Sequence, residues 1–466
     1  IDINQIDNDQ FQIFGKENEV SLLIKDLNNN SVLDSSEYIE FYAEKNDGWL
    51  DKEVYDSVQH MPDSYFSLFN DTIRYYLTWS NDIFNERTSI ETDSNYLLYD
   101  SISYCWKKTI EKYNSIYNEG EKFDVYPNPL SSPKDNVGEG WVGDPILKGG
   151  SQTKLINTAN YYEFGPSAYG EINVVSINSG DANLNGLNHN TEILANNSMF
   201  FDSSYYGYKT FHIPFELDIS GITNTTSIKH SINNINQGVD RQSISSIVMW
   251  YPHTTDFSNY NSLHFGIEYF YNQKKRLTID NTLSGGVNPI LYMLDDGGNR
   301  VIPIAQNNNK WEAVIPPSSS DSNLFFITDE SNITNISKIE PINTTGEFTN
   351  YLSFQLDSSF IIVTHKKLVS EARNYANYRS NQFDTLLVDI EELYHQYSAG
   401  IFKNPLSIRK FIKHLMDIWP SYPSHLFLIG KSVRFNDEIS SPGSRFDTIN
   451  YSKNLVPSWG YPSSDN

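Results

Sequence analysis

The chain has 466 residues, more than one compact core organises, and 38% of them are hydrophobic, so the composition predicts several folded domains and argues against global disorder. The formal net charge of −24 argues against a nucleic-acid partner and against docking on anionic lipid, because both need clustered Lys and Arg. No stretch is long and apolar enough to span a bilayer, so no transmembrane segment is predicted.

Cysteine chemistry is limited because the chain has a single cysteine, Cys105. One cysteine forms no internal disulfide and builds no cysteine-based zinc site. The near-absence of cysteine fits a bacterial surface protein that folds without disulfides, and it fits a cytosolic protein equally well. The chain starts at Ile1 without a basic and apolar leader, so we expect a processed mature protein or a fragment.

The first 355 residues or so alternate polar and apolar side chains in short runs. Clusters of Asn, Asp, Gly and Ser separate these runs, a pattern typical of antiparallel β-sandwiches. Glycine-rich and polar stretches between the runs indicate domain boundaries. They predict an N-terminal β domain at 1–145, a jelly-roll-like β-sandwich at 146–282 and a small β domain at 283–354.

The strongest local chemical motif lies between two predicted strands of the first domain. It follows the calcium-loop pattern D-x-[DN]-x-[DN]-G-x5-E, in which oxygen atoms from a short loop converge on a hard cation. The ligand positions 1, 3, 5, 7, 9 and 12 are Asp26, Asn28, Asn30, Val32 (through its carbonyl), Asp34 and Glu37. Ser31 replaces the glycine that normally allows the sharp turn. The sequence therefore predicts a calcium-binding hairpin loop, with an acidic turn held by Asx hydrogen bonds as the alternative.

The hydrophobic pattern changes at Asp357. From there, continuous apolar runs alternate with segments whose apolar residues have helical spacing. Such runs are typical of parallel strands that are buried on both faces. Strands are predicted at Phe360–Thr364, Thr385–Ile390 and His425–Gly430, and helices at about Leu368–Ser380 and Pro405–Trp419. This order predicts that residues 355–466 form the first half of an α/β domain with a parallel sheet.

A pattern of residues in and before the second predicted helix carries a family resemblance. It consists of Leu393, Tyr394, Tyr397, Ser398, Gly400, Asn404, Pro405, Ile408 and Arg409. With the upstream stretches DLNNNSVLDSSEYIEFYAEKNDG, GEGWVGDPI and IVMWYPH, it resembles the gingipain-type cysteine peptidases, specifically the sortases of bacterial type IX secretion. The resemblance spans nearly the whole chain and implies a caspase/gingipain-like architecture for the α/β domain.

The resemblance also implies a function at the bacterial cell surface. The family uses a His–Cys dyad, in which the thiolate attacks a carbonyl and the imidazole protonates the leaving amine. A sortase of this type removes the C-terminal signal of secreted cargo and attaches the cargo to the surface through an incoming amine. The implied partners are that cargo and a subunit of an outer-membrane secretion complex.

The residues of that dyad are not expected within this chain. In the family, the histidine motif and the cysteine follow the pattern VPSWGYPSSDN, which ends this sequence. We therefore predict no catalytic residue within residues 1–466 and no activity for the chain by itself. Cys105, in the β region, is predicted to be a packed side chain. The resemblance implies a role for Asp465 in shaping the substrate pocket.

A second interpretation belongs to a different class of protein. Stacked β domains rich in Tyr and Asn also build adhesins, carbohydrate-binding proteins and scaffold subunits, which need no catalytic residues. The segment from Asp357 favours the peptidase, because a β-only adhesin has no use for a buried parallel sheet. His189, in a loop-like stretch between Asn188 and Asn190, is a weaker candidate for binding an ion or a sugar, and a solvated loop is the simpler interpretation.

Overall fold

The computed structural model describes residues 5–81, 85–121, 123–125, 128–130, 137–178, 186–233, 238–268, 270, 272–294, 298–317, 323–354, 356–433 and 448–458. Within these ranges, β-strands dominate up to residue 329, and α-helices occur only after residue 368. None of the helices in these ranges has the length and apolar character needed to cross a membrane.

Two small antiparallel sheets form the N-terminal end of the chain. Their strands are β1 (Phe11–Gly15), β2 (Asn18–Val20), β3 (Leu22–Lys25), β4 (Tyr38–Phe41) and β5 (Tyr76–Trp79). One sheet has the order β2–β1–β5, and the other is the hairpin β3–β4. Phe11, Ile13 and Leu22 are buried between them. The loop predicted to bind calcium joins the two strands of the hairpin, as the sequence indicates.

One long sheet runs through the middle of the chain. Its strands are β6 (Ser89–Ile90), β7 (Cys105–Lys112), β12 (Ile146–Leu147), β14 (Ala168–Ser176), β17 (Thr210–Leu217), β19 (Arg241–His253), β20 (Ser262–Ile267), β22 (Pro289–Leu294), β23 (Arg300–Ile302) and β26 (Asn323–Asp329). They pair in the order β17–β14–β19–β7–β20–β26–β22–β23–β6, and β12 pairs with β19. The parallel pair β23–β6 lies at one end. The other pairs are antiparallel.

Two smaller sheets cover different halves of this long sheet. The first contains β13 (Ser151–Asn157), β15 (His189–Ala195), β16 (Ser198–Tyr205) and β18 (Thr225–Ser231), and the second contains β21 (Lys275–Ile279), β24 (Ile304–Asn307) and β25 (Lys310–Ile315). The first packs on β14 and β19 around Ile172, Ile193 and Ile247. The second packs on β20 and β26 around Phe265 and Phe325. Two sandwiches therefore share one continuous sheet.

Two short pairs complete the β region. They are β8 (Ile116–Asn118) with β11 (Gly140–Val142), and β9 (Phe123–Val125) with β10 (Asn128–Leu130). The mainly antiparallel class that the sequence predicts is confirmed.

The long sheet takes strands from each of the first three predicted domains. The pairing of β7 with β19 crosses the boundary at 145/146, and the pairing of β20 with β26 crosses the boundary at 282/283. These boundaries therefore do not separate independent sheets. The reason is physical: alternation shows where a strand runs, but it does not show which distant strand completes its hydrogen bonds.

The C-terminal part is an α/β segment with a parallel sheet. Its elements are β27 (Ser359–Thr364), α1 (Val369–Arg379), β28 (Asp384–Asp389), α2 (Ile390–Tyr397), α3 (Leu406–Ile418), β29 (His425–Ile429) and α4 (Thr448–Lys453). The sheet order is β28–β27–β29, and both pairs are parallel. The three strands and two helices that the sequence predicts are confirmed. The additional helix α2 is absent from that prediction and begins where the predicted second strand ends.

The two faces of this sheet are covered by different helices. Phe360 and Ile362 pack with Ala372 and Ala376 of α1 on one face. The alternating residues of β27 face the opposite side, where they pack with α2 and α3. The chain moves from β27 to β28 across the first face, and back past β27 to β29 across the second. The second connection runs in the opposite direction across the sheet and on the opposite face from the first, so the two connections have the same handedness.

A buried carboxylate fixes the linker that precedes β27. Glu392 of α2 is 7% exposed, and it accepts hydrogen bonds from the backbone N–H and hydroxyl of Thr349 and from the Tyr351 hydroxyl at 2.8 Å. The side-chain amides of Asn343 and Gln396 also donate to it. Burial acts to raise the pKa of Glu392, but these donors lower it overall. The linker is thus tied to α2 through one ionised group.

The segment between β4 and β5 packs on the outer face of the long sheet. The Ser245 hydroxyl of β19 donates to the Pro62 carbonyl, and Lys108 of β7 lies over the Tyr65 ring at 4.9 Å. Between these contacts Asp63 is 4% exposed. Its Oδ1 accepts the Tyr65 N–H at 2.8 Å, and its Oδ2 has no hydrogen-bond partner among the described residues. Burial raises the pKa of Asp63 to about 7, so the protonated carboxyl predominates in the folded protein below about pH 7.

Replacing Glu392 should loosen the linker. For Glu392→Ala we expect the free energy of local opening of α2 to fall by about 2–4 kcal/mol, because several buried donors lose an ionised acceptor. For Glu392→Gln, the free energy of local opening should lie between those of the wild type and Glu392→Ala, because glutamine keeps the shape of the side chain but not its charge. Hydrogen exchange of the α2 amides measures this, with the exposed Glu371→Ala as control. A Gln variant as protected as the wild type would contradict the role of the charge.

Replacing Asp63 should change the pH dependence of stability. The folded-state pKa of about 7 exceeds the unfolded value of about 3.9, so this carboxyl costs stability as the pH rises from about 4 to about 7. Asp63→Asn should therefore stabilise the protein at pH 8, by on the order of 2–4 kcal/mol, and leave it unchanged at pH 4. Urea unfolding at both pH values tests this, with the exposed Asp56→Asn as control. Equal destabilisation at both pH values would show that burial does not govern this proton.

Candidate functional site

The carboxyl ends of the three parallel strands form one edge of the α/β sheet. Thr364, Asp389 and Ile429 end β27, β28 and β29 there, and the Thr364 hydroxyl donates to the Ile429 carbonyl at 2.9 Å. Open parallel sheets bind their ligands outside this edge, next to the strand at which the chain reverses its direction across the sheet. In this sheet that strand is β27.

A histidine and a glutamate meet at this edge. His365 directly follows β27 and is 4% exposed. Its Nδ1 accepts the backbone N–H of Lys367 at 3.1 Å, which leaves the ring proton of the neutral form on Nε2. Nε2 lies 3.2 Å from Glu391 Oε1, so the ring donates to that carboxylate. Burial lowers the pKa of His365 despite the neighbouring Glu391, and the neutral ring is favoured.

The charge of Glu391 is balanced by a lysine on the other side. Lys366 Nζ lies 2.8 Å from Glu391 Oε2. Burial acts to raise the pKa of Glu391, but the bond to Lys366 lowers it overall. Asp389 caps α2 by accepting the Glu391 N–H at 3.0 Å, and its own burial raises its pKa. These side chains bond to one another, and this arrangement suits residues that fix the position of neighbouring elements at the edge of the sheet.

No thiol lies at this edge, because the one cysteine of the sequence is elsewhere. Cys105 begins β7 and is fully buried in the second sandwich. Its sulfur lies 3.6 Å from the His253 carbonyl oxygen. Burial raises the pKa of the Cys105 thiol to about 12, so the thiolate that a cysteine peptidase needs does not form there. Asp465, implied as a pocket residue, lies outside the described residues.

The loop between β3 and β4 has the turn that the calcium pattern needs. Ser31 adopts φ of 68°, the left-handed conformation that the pattern usually obtains from glycine. Its N–H donates to Asp26 Oδ2 at 2.9 Å. Partial burial acts to raise the pKa of Asp26, but backbone N–H groups of the loop lower it overall. Replacement of the glycine by Ser31 therefore does not prevent the turn.

The remaining oxygens of the loop are largely engaged in hydrogen bonds. Asn28 Oδ1 and Asn30 Oδ1 accept the N–H groups of Asn30 and Val32 at 2.9 and 3.0 Å. Both oxygens of Glu37 accept backbone N–H groups, and Asp34 Oδ2 accepts the amides of Asn28 and Asn30. Asp26 Oδ1 is buried and has no hydrogen-bond partner among the described residues.

Within the ranges that the structure describes, no group of three or more His, Cys, Asp or Glu side chains is placed to hold a metal. In the loop, the neutral amides of Asn28 and Asn30 stand between the carboxylates. Both alternatives raised by the sequence, a metal loop and an Asx-bonded turn, use these same contacts, so the predicted metal ligands remain a prediction.

Sequence reasoning missed a buried polar network inside the first sandwich. His189 begins β15 and is fully buried, so the interpretation of a solvated loop is wrong for this residue. Its Nδ1 lies 2.7 Å from Asp240 Oδ1, and Gln242 Nε2 donates to the same oxygen at 3.0 Å. Gln242 Oε1 lies 3.1 Å from His230 Nε2, whose pKa burial lowers to about 4. No local pattern signals this network, because His189 and Asp240 are 51 positions apart.

The residues that carried the family resemblance lie in α2, in the loop between α2 and α3, and at the start of α3. Asn404 Oδ1 accepts the Leu406 N–H at 3.0 Å and starts α3. Gly400 has φ of +72°, and a Cβ there would lie 2.7 Å from the Arg74 side chain. Ala399 O accepts the Arg74 N–H at 3.1 Å, and Phe402 O accepts the Asn70 amide at 2.7 Å. The pattern therefore holds the α/β segment against the region before β5.

Comparison with known proteins agrees with this architecture. Residues 355–466 match the sequence model described as peptidase family C25. The crystal structure of dimeric latent PorU from Porphyromonas gingivalis matches the fold with a TM-score of 0.58 at 14% sequence identity. The match covers 96% of this chain and 41% of that chain.

The α/β segment matches the sequence model of peptidase family C25, and the chain has a fold similar to that of PorU. The predicted resemblance to the gingipain-type family is therefore confirmed. The chain spans about two fifths of the length of the PorU chain it matches.

Two other solved structures are similar to the chain only at TM-scores below 0.2. A family 35 carbohydrate-binding module from an environmental isolate has a TM-score of 0.19 at 13% identity, over 31% of this chain and 98% of that chain. A cycloisomaltooligosaccharide glucanotransferase from Paenibacillus sp. has a TM-score of 0.17 at 6% identity, over 47% of this chain and 45% of that chain. No curated protein sequence matches the chain.

Proposed function

We propose that this chain is the front part of a PorU-like cysteine peptidase of the bacterial cell surface. The longer enzyme would remove the C-terminal signal of secreted cargo and transfer the cargo to a surface amine. The observation that carries the proposal is the parallel α/β segment, which matches peptidase family C25 and follows β domains with the fold of PorU.

In this proposal the catalytic dyad comes from sequence beyond residue 466. The edge with His365 and Glu391 is where a parallel sheet binds its substrate, and these two residues would position neighbouring elements there. β29 pairs with β27 on one side only among the described strands, and its Leu426, Phe427 and Leu428 are 43%, 41% and 42% exposed. An exposed apolar strand of this kind is suited to receive a further strand of the same domain.

The proposed surroundings are extracellular. Secreted proteins with a C-terminal signal would be the substrates, and a subunit of an outer-membrane secretion complex would be the partner that holds the enzyme at the surface. The net charge of −24 suits a solvated surface protein and does not suit direct adsorption on anionic lipid.

We also propose that the loop from Asp26 to Glu37 binds calcium. The buried Asp26 Oδ1 accepts no hydrogen bond among the described residues, and this favours a cation over a plain turn, because a cation would satisfy that oxygen. A cation could also bind the second lone pairs of the oxygens of Asn28, Asn30, the Val32 carbonyl, Asp34 and Glu37, which are all hard donors. Bound calcium would neutralise the acidic loop and fix the β3–β4 hairpin.

Residues 1–466 by themselves should neither hydrolyse peptide esters nor react with thiol-directed active-site probes, because Cys105 is buried and protonated. Mass spectrometry after probe treatment of the folded protein checks this. The urea-unfolded protein, which should be labelled at Cys105, serves as the control. Hydrolysis that depends on Cys105 would place the chemistry in the β region and contradict the proposal.

The longer protein should have the activity that residues 1–466 are predicted to lack. Incubated with a secreted substrate that carries its C-terminal signal, and with a small primary amine, it should release the signal and form an amine adduct that mass spectrometry detects. Substitution of the cysteine proposed downstream should abolish both products. A longer protein that folds but yields neither product would contradict the proposed sortase.

Calcium should raise the unfolding temperature of the first β region, because a ligand that binds only the folded state stabilises it by about 2.7 kcal/mol at 100 times its Kd. The double variant Asp26→Ala, Glu37→Ala should lose this rise. Differential scanning fluorimetry in calcium, magnesium and chelator measures the effect. A wild type indifferent to calcium and chelator would show that the loop is only a hydrogen-bonded turn.

A further inference from the structure

An exposed stretch of the chain, residues 334–341, connects the β region to the α/β segment. Every residue in it is exposed, and the side chains of Ile336 and Ile339 leave 64% and 71% of these two residues open to solvent. The stretch lies wholly within the described residues and contains no helix, strand, turn or bend. None of its N–H or carbonyl groups bonds another backbone group among the described residues. It is therefore an extended single strand with unpaired peptide groups.

Both ends of this stretch are fixed to folded parts of the chain. Before it, Asp329 at the end of β26 accepts the N–H groups of Val287 and Ser331 at 2.8 and 3.0 Å. After it, the Asn343 amide donates to Glu392 of α2 at 2.9 Å. The extended strand thus runs between two anchors, and the structure around each anchor does not depend on the stretch itself.

A lysine lies in the middle of the stretch. The Lys338 side chain is 73% exposed and pairs with Glu340, whose side chain is 60% exposed. An ion pair this exposed restrains the lysine only weakly. Extended peptides are bound through their free main-chain groups, and native proteins are cut where the backbone is exposed and unpaired. The bond after Lys338 meets these conditions without any unfolding.

Two other exposed lysines lie on backbone that is already part of regular structure. The Lys310 side chain is 52% exposed, but Lys310 begins β25, which pairs with β24 and β21. The Lys366 side chain is 63% exposed, but Lys366 lies in a short 3-10 helix after β27. A peptidase could cut after either lysine only once the local structure had opened. Lys338 differs from them in its backbone and not in the exposure of its side chain.

We propose that the Lys338–Ile339 bond is a cleavage site for lysine-specific endopeptidases in the folded protein, and that the product stays together as two chains. Hydrolysis consumes one water molecule. The bond between the Lys338 carbonyl carbon and the Ile339 nitrogen breaks, the carbonyl carbon becomes a carboxylate, and the nitrogen becomes a free amino group. The endopeptidase is a separate protein, because no catalytic residue is assigned within residues 1–466.

The two chains would be held together by contacts that the cut leaves intact. Ile401 and Leu406 pack in an apolar cluster with residues of the segment between β4 and β5. The Ala399 carbonyl accepts the Arg74 N–H at 3.1 Å. The residues that bond Glu392 all follow the cut, so the linker stays attached to α2 in the second chain. Cleavage should therefore change neither the junction nor the parallel sheet.

Limited digestion of residues 1–466 with lysyl endopeptidase tests the inference. Mass spectrometry should detect a fragment that begins at Ile339 before any fragment that begins at Trp311, after the paired Lys310. The fragments on both sides of the cut should elute together in gel filtration and separate in denaturing electrophoresis. Lys338→Gln should abolish the fragment that begins at Ile339. Adding Ser337→Lys to that variant should restore cleavage one bond earlier, because the unpaired backbone makes the site.

Each contrary result would overturn a stated part of the inference. Cleavage after Lys310 as early as after Lys338 would show that the unpaired stretch is not preferred. A double variant with Ser337→Lys and Lys338→Gln that resists cleavage would show that the stretch does not fit a peptidase. Fragments that separate in gel filtration without denaturant would overturn the two-chain product. Thermal unfolding confirms that each variant is folded before digestion.

Discussion

The hydrogen-bonded strand β19 is the constraint on which the rest of the structure depends. It runs over Arg241–His253 and is buried along nearly its whole length. It pairs with β14 on one side and with β7 on the other. Its inner side chains pack in the first sandwich, and its outer face contacts the segment around Pro62. A strand that is buried on both faces and paired on both edges fixes the register of its neighbours. A shift of register would expose apolar side chains and break the hydrogen bonds to both neighbouring strands.

The position of the α/β segment follows from that constraint. The segment between β4 and β5 rests on β19, and it forms an apolar cluster with Ile401 and Leu406 from the connection between α2 and α3. Lys410 of α3 adds ion pairs to Glu17 at 2.6 Å and Glu53 at 3.6 Å. These two helices connect β28 to β29, so the β region supports the edge at which the proposed substrate would bind. The β region is therefore a frame for the peptidase-like sheet.

The same contacts explain why the family resemblance is visible without any catalytic residue. Gly400 is needed because Arg74 occupies the space of a side chain, and Asn404 is needed to start α3. Arg409 donates to the Glu53 carbonyl. These residues have structural roles at the junction between the β region and the α/β segment. Their pattern is specific to the fold because it combines a required backbone conformation, a helix cap and a close approach of two chain segments. They identify a fold, and the chemistry has to be argued separately.

The sequence by itself determined the features that depend on short-range periodicity. These are the antiparallel class, the parallel strands β27, β28 and β29, and the hairpin that carries the loop from Asp26 to Glu37. Alternation and continuous apolar runs report burial on one or both faces of a strand, and burial is a local property of the chain.

Only the tertiary structure decided which strands share a sheet and which polar groups are buried. It joined strands across the predicted boundaries at 145/146 and 282/283, and it placed His189 with Asp240 and Asn8 with Asp26. It also showed α2, whose start is set by the Asp389 cap and whose Glu392 holds a distant linker. Partners of this kind are separated by tens of residues, and their pairing depends on the packing of whole sheets, which no local pattern records.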